Sequence, residues 1–471
     1  MGRGSIRRAK RFASWAVALG LGFAALPAAA QTLVPEGAQF QINTYTTRWQ
    51  LLPSIAADAH GGFVVVWQSF GSSGLDQSFY SIQGQRFASN GSAEGSQFQV
   101  NTVATGWQNM PAVAAAPDGD FIVVWQSERS AGSDWSHESI QGQRYASDGT
   151  AQDVEFQVNT YTTEKQINPS VATAPDGDFV VVWESSGSSG TDTDSLSVQG
   201  QRYVSDGSLQ GAQFQINTYT SFNQASPFVA MAPDGDFVVV WSSDGPFSSF
   251  GANPNIVGQR YASDGSAQGA EFLVNTYTPD TQSAPSVATA GDGDFVVAWR
   301  NSGSYGTGTS EETIQGQRFA SDGSAQGAEF QVNTYTTSIR FEPIVAATAD
   351  GAFVVVWMSY GSSGTDTSGW SVQGRRYASD GSAQGAEFQV NSYTTNDQWI
   401  PFMAAADGDF IVVWTSNGSS GTDTDSLSIQ GQRFSLPAAV IPVPSMSPTT
   451  RFALGAALAL LGATYALRRR A

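Results

Sequence analysis

Hydrophobic and polar positions follow one pattern that returns at a fixed interval along this chain. In its clearest copy, the small apolar stretch Pro169-Ser170-Val171-Ala172-Thr173-Ala174 runs into the turn Pro175-Asp176-Gly177, and residues 179–183 are a β-branched and aromatic run ending in Trp183. Proline with Asp-Gly marks a tight turn, and an unbroken run of this kind suits a strand buried on both faces. A Gly, Ser, Thr and Asp loop (185–194) leads into 196–203, which contains Gln-Gly-Gln-Arg. Asp206-Gly207 makes a second turn, and 214–219 alternates as a half-exposed strand does. The tryptophan recurs at Trp67, Trp125, Trp183, Trp241, Trp299, Trp357 and Trp414; five of the six intervals are 58 residues and the last is 57. So constant a period means one supersecondary unit copied seven times. Helix-length periodicity is absent from this body, which reads as all-β.

Four strands per unit and seven units predict a seven-bladed β-propeller of four-stranded blades. Blades converge on an axis, so the strand with the smallest side chains should be innermost, the Val-Val-Val-Trp strand second, the Gln-Gly-Gln-Arg strand third and the Phe-Gln-Val-Asn strand outermost. Each tryptophan then fills the widening wedge between adjacent blades. The chain enters the body at Phe40-Gln41-Ile42-Asn43 with an outermost strand and leaves it at 430–434 with a third strand. The N-terminal strand is therefore expected to complete blade 7 and close the ring, leaving no unfinished edge. An open solenoid is the competing architecture, but it wants atypical capping units, and the end units here look like the middle ones. Immunoglobulin-like sandwiches need ~100 residues and seven strands each.

The absence of cysteine excludes disulfides, thiolate nucleophiles and Cys-ligated zinc. Nine of the 22 basic residues lie in the two ends and all 41 acids lie between, so the body holds 13 basic against 41 acidic groups, a net of −28. That surface repels phosphate backbones and lacks a basic stripe, so nucleic acid is not an expected partner; cations or neutral glycans fit better.

Residues 1–30 join a basic start, an apolar run and Pro27-Ala28-Ala29-Ala30, the pattern of a secretory signal peptide cut near Ala30; a retained anchor is the other reading. Residues 31–436 form the propeller, 437–451 a Pro-rich linker with a sorting motif, and 452–471 a short hydrophobic transmembrane helix with a basic tail. The apolar run of 16 residues, 452–467, is short against the ~20 that span a bilayer, and Arg468, Arg469 and Arg470 place the C-terminus on the cytoplasmic side. This tripartite tail resembles the bacterial sorting signals of the PEP-CTERM and IPTL-CTERM type. Val443, Pro444, Ser445, Met446 and Ser447 stand where those families carry a short proline motif, and depart from both consensus forms. The resemblance implies a transient tether in the inner membrane, processing by an exosortase-like sorting enzyme, and release or attachment at the envelope of a Gram-negative bacterium. A plain tail anchor is the alternative.

The unit also resembles a repeat of large bacterial secreted and adhesin-like proteins, through Asp118-Gly119-Asp120-Phe121, Gly142-Gln143-Arg144-Tyr145 and Glu155-Phe156-Gln157-Val158-Asn159-Thr160. That implies an extracellular, surface-associated role and fixes no activity.

Several side-chain sets are candidates for function. Arg86, Arg144, Arg202, Arg260, Arg318, Arg376 and Arg433 recur seven times, whereas catalysis needs a residue once; they read as structural, each paired with an acid such as the second Asp of the DGD turn or hydrogen-bonded to a neighbouring blade. Asp192 and Asp194, and their counterparts Asp423 and Asp425, alternate in a Gly and Ser loop and could hold calcium, or be solvated turn acids. Trp49, Trp107, Phe222, Phe341 and Trp399 sit in the connections from outermost to next innermost strand, on the same face as those loops. Aromatic rings beside carboxylates suit a sugar ligand; equally, the rings could plug the channel. His60 and His137 have no counterparts in other units, and no nucleophile elbow or zinc-protease segment occurs. The expectation is therefore a non-enzymatic binding or matrix protein with no required cofactor, contacting extracellular polysaccharide or a surface protein. The rival is a carbohydrate-active enzyme on the same scaffold.

Overall fold

The computed structural model describes residues 33–436 apart from 72–73, 77–78, 130, 136, 246–252, 304–311, 337, 363, 407, 419–420 and 424–425. The expected signal peptide, sorting motif and C-terminal helix, and Asp425, lie outside the described residues. Among those described, 28 strands form seven four-stranded antiparallel sheets, and no helix is long and apolar enough to cross a membrane. Blade 1 comprises Gln50–Ala57, Phe63–Phe70, Tyr80–Phe87 and Ala93–Gln99; blade 7 comprises Gln398–Ala406, Asp409–Asn417, Leu427–Ser435 and the N-terminal Val34–Gln41.

Strand order within a blade follows side-chain size as expected. Each first strand lies against the first strands of both neighbouring blades, so these seven line the axis. The second strand alternates its two faces between two cores. In blade 3, Phe179, Val181 and Trp183 pack with Ile122 and Val124 of blade 2, while Val180 and Val182 pack with Val239 and Trp241 of blade 4. All seven tryptophans are fully buried in these wedges. The ring closes through Phe40 opposite Gly431 and Gln41 opposite Gln430, and Ile42, Trp67, Ile411 and Val413 share one core across the seam. An open solenoid has no such contact.

Two features depart from the sequence reading. The first strand begins three residues earlier, at Gln166 in blade 3, and passes through a bulge between Ile167 and Ser170. The bulge residue precedes proline in every blade (Leu52, Met110, Asn168, Ser226, Ala284, Glu342 and Ile400) and has φ between 49° and 56°. Beyond it, Gln166 accepts the indole N–H of Trp183 at 2.9 Å, a bond made in six of the seven blades. Residue 340 is arginine instead, and the buried Trp357 Nε1 has no partner.

In blades 3 to 6 the fourth strand is shorter than expected, Phe214–Gln215 in blade 3. Asn217 ends it: its Oδ1, in place of a backbone carbonyl, accepts the Val198 N–H at 2.8 Å. Asn43, Asn101, Asn159, Asn275, Asn333 and Asn391 do the same in the other six blades.

Candidate ligand-binding face

The turns Asp176-Gly177-Asp178 and Asp206-Gly207 lie on one face of the ring, the bottom. The loops between second and third strands and the connections between blades lie on the other, the top.

On the bottom face the recurrent arginine is a clasp. Arg86 Nη1 donates to the Asp148 carbonyl of the next blade at 2.7 Å, Arg144 to Asp206 at 2.6 Å and Arg318 to Asp380 at 2.8 Å. Both expected kinds of pairing occur: besides the neighbouring blade, Arg86 pairs with Glu94 at 2.7 Å, Arg144 with Asp153 at 3.0 Å, and Arg433 reaches Asp409, the second Asp of its DGD turn, at 3.8 Å. The second Asp of the DGD turn bonds within its own blade: Asp120 accepts from the Ser147 N–H and from Gln152. The channel opens below in a cavity of about 600 Å³ lined by Ala57, Ala115, Ala174, Ala232, Ala347 and Ala406 among others, with Leu436, the last described residue, at its edge.

On the top face, Asp76, Asp134, Asp192, Asp366 and Asp423 are buried, not solvated turn acids. Asp192 is 1% exposed; its Oδ2 accepts from Asn217 Nδ2 at 2.6 Å and its Oδ1 from the Asp194 N–H at 3.2 Å. Burial raises its pKa against the pull of the Asn217 bond. Asp423 accepts from Asn43 at 2.7 Å, and Asp194 accepts the Phe222 N–H. Among the described residues, no three His, Cys, Asp or Glu side chains gather as a metal site would require.

The five candidate aromatics fall at three repeat positions. Trp49 and Trp107 are equivalent and 48% and 49% exposed; Phe222 stands in blade 4, one position earlier, 50% exposed. Phe341 and Trp399 lie two positions later and are half-buried. The structure gathers Trp49 and Trp107 into one cluster with three rings missed from sequence. Trp49 meets Phe70 at 6.0 Å between centroids, Phe70 meets Tyr80 at 5.1 Å, and Trp107 takes both Tyr80 at 6.3 Å and Phe79 at 6.2 Å. Arg48 lies over Phe70 at 4.8 Å. Blade 6 repeats the arrangement: Phe341 meets Trp370 at 5.5 Å, Tyr360 meets Trp370 at 5.4 Å, and Arg300 lies over Phe341 at 3.9 Å while both its Nε and Nη2 bond Glu312 at 2.6 Å. The missed rings carry a sequence signal. Phe70 and Tyr360 stand where other units have Glu128, Ser186, Asp244, Ser302 and Asn417, and Tyr80 and Trp370 where they have Glu138, Leu196, Pro254, Glu312 and Leu427.

Two acids lie near the channel on this face. Glu184 is buried and accepts from Asn168 at 2.9 Å and from the Ser226 N–H at 2.6 Å; burial raises its carboxyl above the usual range. Glu342, on a bulge, is open to water yet surrounded by the blades, which also raises it, with Arg300 pulling the other way.

No protein family and no curated protein matches the chain. Solved structures match by shape. The polysaccharide lyase Uly1 is similar at TM-score 0.53 with 9% identity, over 86% of this chain and all of that one. A protein of unknown function from Dyadobacter fermentans matches at 0.48 with 10% identity, over 88% and 100% of the two chains, and an α-L-arabinofuranosidase from Fusarium graminearum at 0.45 with 13% identity, over 69% and 94%. At these identities the likeness is one of fold.

Proposed function

We propose that the protein is a secreted, envelope-associated binding protein without catalytic activity that holds glycan on its aromatic top face. The observation that carries this reading is the pair of half-exposed indoles, Trp49 and Trp107, each packed against further rings. The same repeat position holds Lys165, Asn223, Thr281, Ile339 and Asp397 elsewhere, so the scaffold does not need a ring there. A flat ring open on one side stacks on the apolar face of a sugar, and the Ser, Thr and Asn of neighbouring loops suit its hydroxyls. Delivery runs through the C-terminal signal, a transient membrane tether and an exosortase-like enzyme. Val34 pairs with Ser435 on the bottom face, so the last described residue, Leu436, stands on the face opposite the aromatic one.

A glycan array with the mature protein and its Trp107→Ala variant tests the reading. Glycan retained by the parent and lost by the variant, with no reducing or unsaturated sugar released, is expected. Turnover that vanishes on substituting Glu184 or Glu342 would establish the carbohydrate-active enzyme, glycosidase or lyase, in its place. No glycan bound, with a surface protein captured instead, would replace the ligand. Mass spectrometry of the mature C-terminus, cut near Pro444, tests the sorting step.

A further inference from the structure

Seven copies of one unit supply their own control, because a residue the scaffold requires recurs in every blade. Apart from Phe79 of blade 1 and Phe222 of blade 4, the aromatics described above stand at four top-face repeat positions, those of Trp49, Phe341, Phe70 and Tyr80. In blades 1, 2, 6 and 7 they hold eight aromatic residues in sixteen places; in blades 3, 4 and 5 they hold none in twelve, being occupied by Lys165, Ile167, Ser186 and Leu196 in blade 3, for example. The four aromatic blades form two pairs, blades 1 and 2 and blades 6 and 7, at opposite ends of the body. Closure joins the two pairs into one arc, because blade 7 lies against blade 1 as well as blade 6. Contacts bridge each junction on the top face. The backbone N–H of Trp370 donates to Asp397 of blade 7 at 3.1 Å; Trp399 pairs with Thr415, whose hydroxyl accepts the Leu52 N–H of blade 1 at 3.2 Å; and Tyr80 of blade 1 meets Trp107 of blade 2.

We infer that the ligand is an extended chain of neutral sugars lying along one arc of the top face, over blades 6, 7, 1 and 2 and across the closure seam. This rests on the glycan reading above and deepens it. An arc of rings offers successive stacking platforms, which a polymer uses and a single sugar does not. The acidic body disfavours a polyanion, while stacking on rings takes no account of charge.

The test is titration calorimetry and affinity electrophoresis with a neutral soluble β-glucan, its short oligosaccharides and alginate as the anionic counterpart. Affinity should rise steeply with the length of the neutral chain. Trp107→Ala and Trp370→Ala, in blades 2 and 6 on either side of the seam, should each weaken polymer binding by roughly tenfold or more. Leu209→Ala, an exposed residue after the bottom-face turn, should leave it unchanged. Equal affinity for short and long chains, loss from only one of the two tryptophan variants, or preference for alginate overturns the arc while leaving a glycan-binding protein. Absence of binding to every sugar overturns the parent reading with it.

Discussion

The Asn217 to Asp192 bond offers the sharpest check on how the top loops are held. Asn217 and Asp192 are each 1% exposed, and the asparagine makes three bonds: from the Val198 N–H at 2.8 Å, to Asp192 Oδ2 at 2.6 Å and to the Tyr219 carbonyl at 2.9 Å. Asn217→Ala orphans a buried N–H, at about 1–3 kcal/mol, and strips a charge-assisted bond from a buried carboxylate, at about 1.5–3 kcal/mol, so a loss of about 3–5 kcal/mol is expected. Asn217→Asp keeps the acceptor for Val198 but sets a second carboxyl against Asp192. Two carboxylates so close hold one proton between them, which lifts their folded titration above the ordinary range. The folded state then binds more protons than the unfolded one, so stability falls as pH rises through that window. Relative to the parent, Asn217→Asp should cost about 1 kcal/mol in acid, where the proton is present, and about 3–5 kcal/mol at pH 8. Urea unfolding of parent and variant at both pH values reads this directly. A cost that is the same at both, or smaller at pH 8, refutes the buried, proton-sharing pair. Millimolar calcium that restores the variant at pH 8 would show that a cation occupies this loop.

Further outcomes follow from single residues. Glu184 has its pKa raised in the fold, so the parent loses stability as pH climbs above the usual carboxylate range; Glu184→Gln, which keeps an acceptor for Ser226, should gain on it in thermal melts at pH 8 relative to pH 5, and an equal difference at both contradicts this. Arg340→Gln gives Trp357 the partner its six counterparts have and should stabilise by about 1 kcal/mol or more; destabilisation in urea would count against it. Removing residues 33–43 exposes the edge of Leu427–Ser435 and should give association on gel filtration, whereas a monomer with an unchanged midpoint would show that closure contributes nothing.

Much of the scaffold was legible because its determinants are local and repeated. Glycine in Gln-Gly-Gln-Arg is one that the sequence displays without explaining: the Phe156 ring lies over Gly142, where a Cβ would come within 2.7 Å of it. The role of Asn217 was hidden for a related reason, since a side chain that replaces a carbonyl looks like any polar residue at a strand's end. Asp192 misled in the opposite direction. A carboxylate in a Gly and Ser loop reads as solvated, and only the fold reveals the amide that covers it.

The chain alone determined the all-β class, the number of blades, the order of strands by size, the tryptophans in the wedges and the strand that completes the ring, because each depends on patterns within one unit and on their count. Tertiary structure alone decided which end units lie side by side. Phe341 and Trp49 belong to units at opposite ends of the body, and closing the ring seats blade 7 between them as the neighbour of both. Proximity across a closed ring is a property of the whole circuit, and no local stretch encodes it.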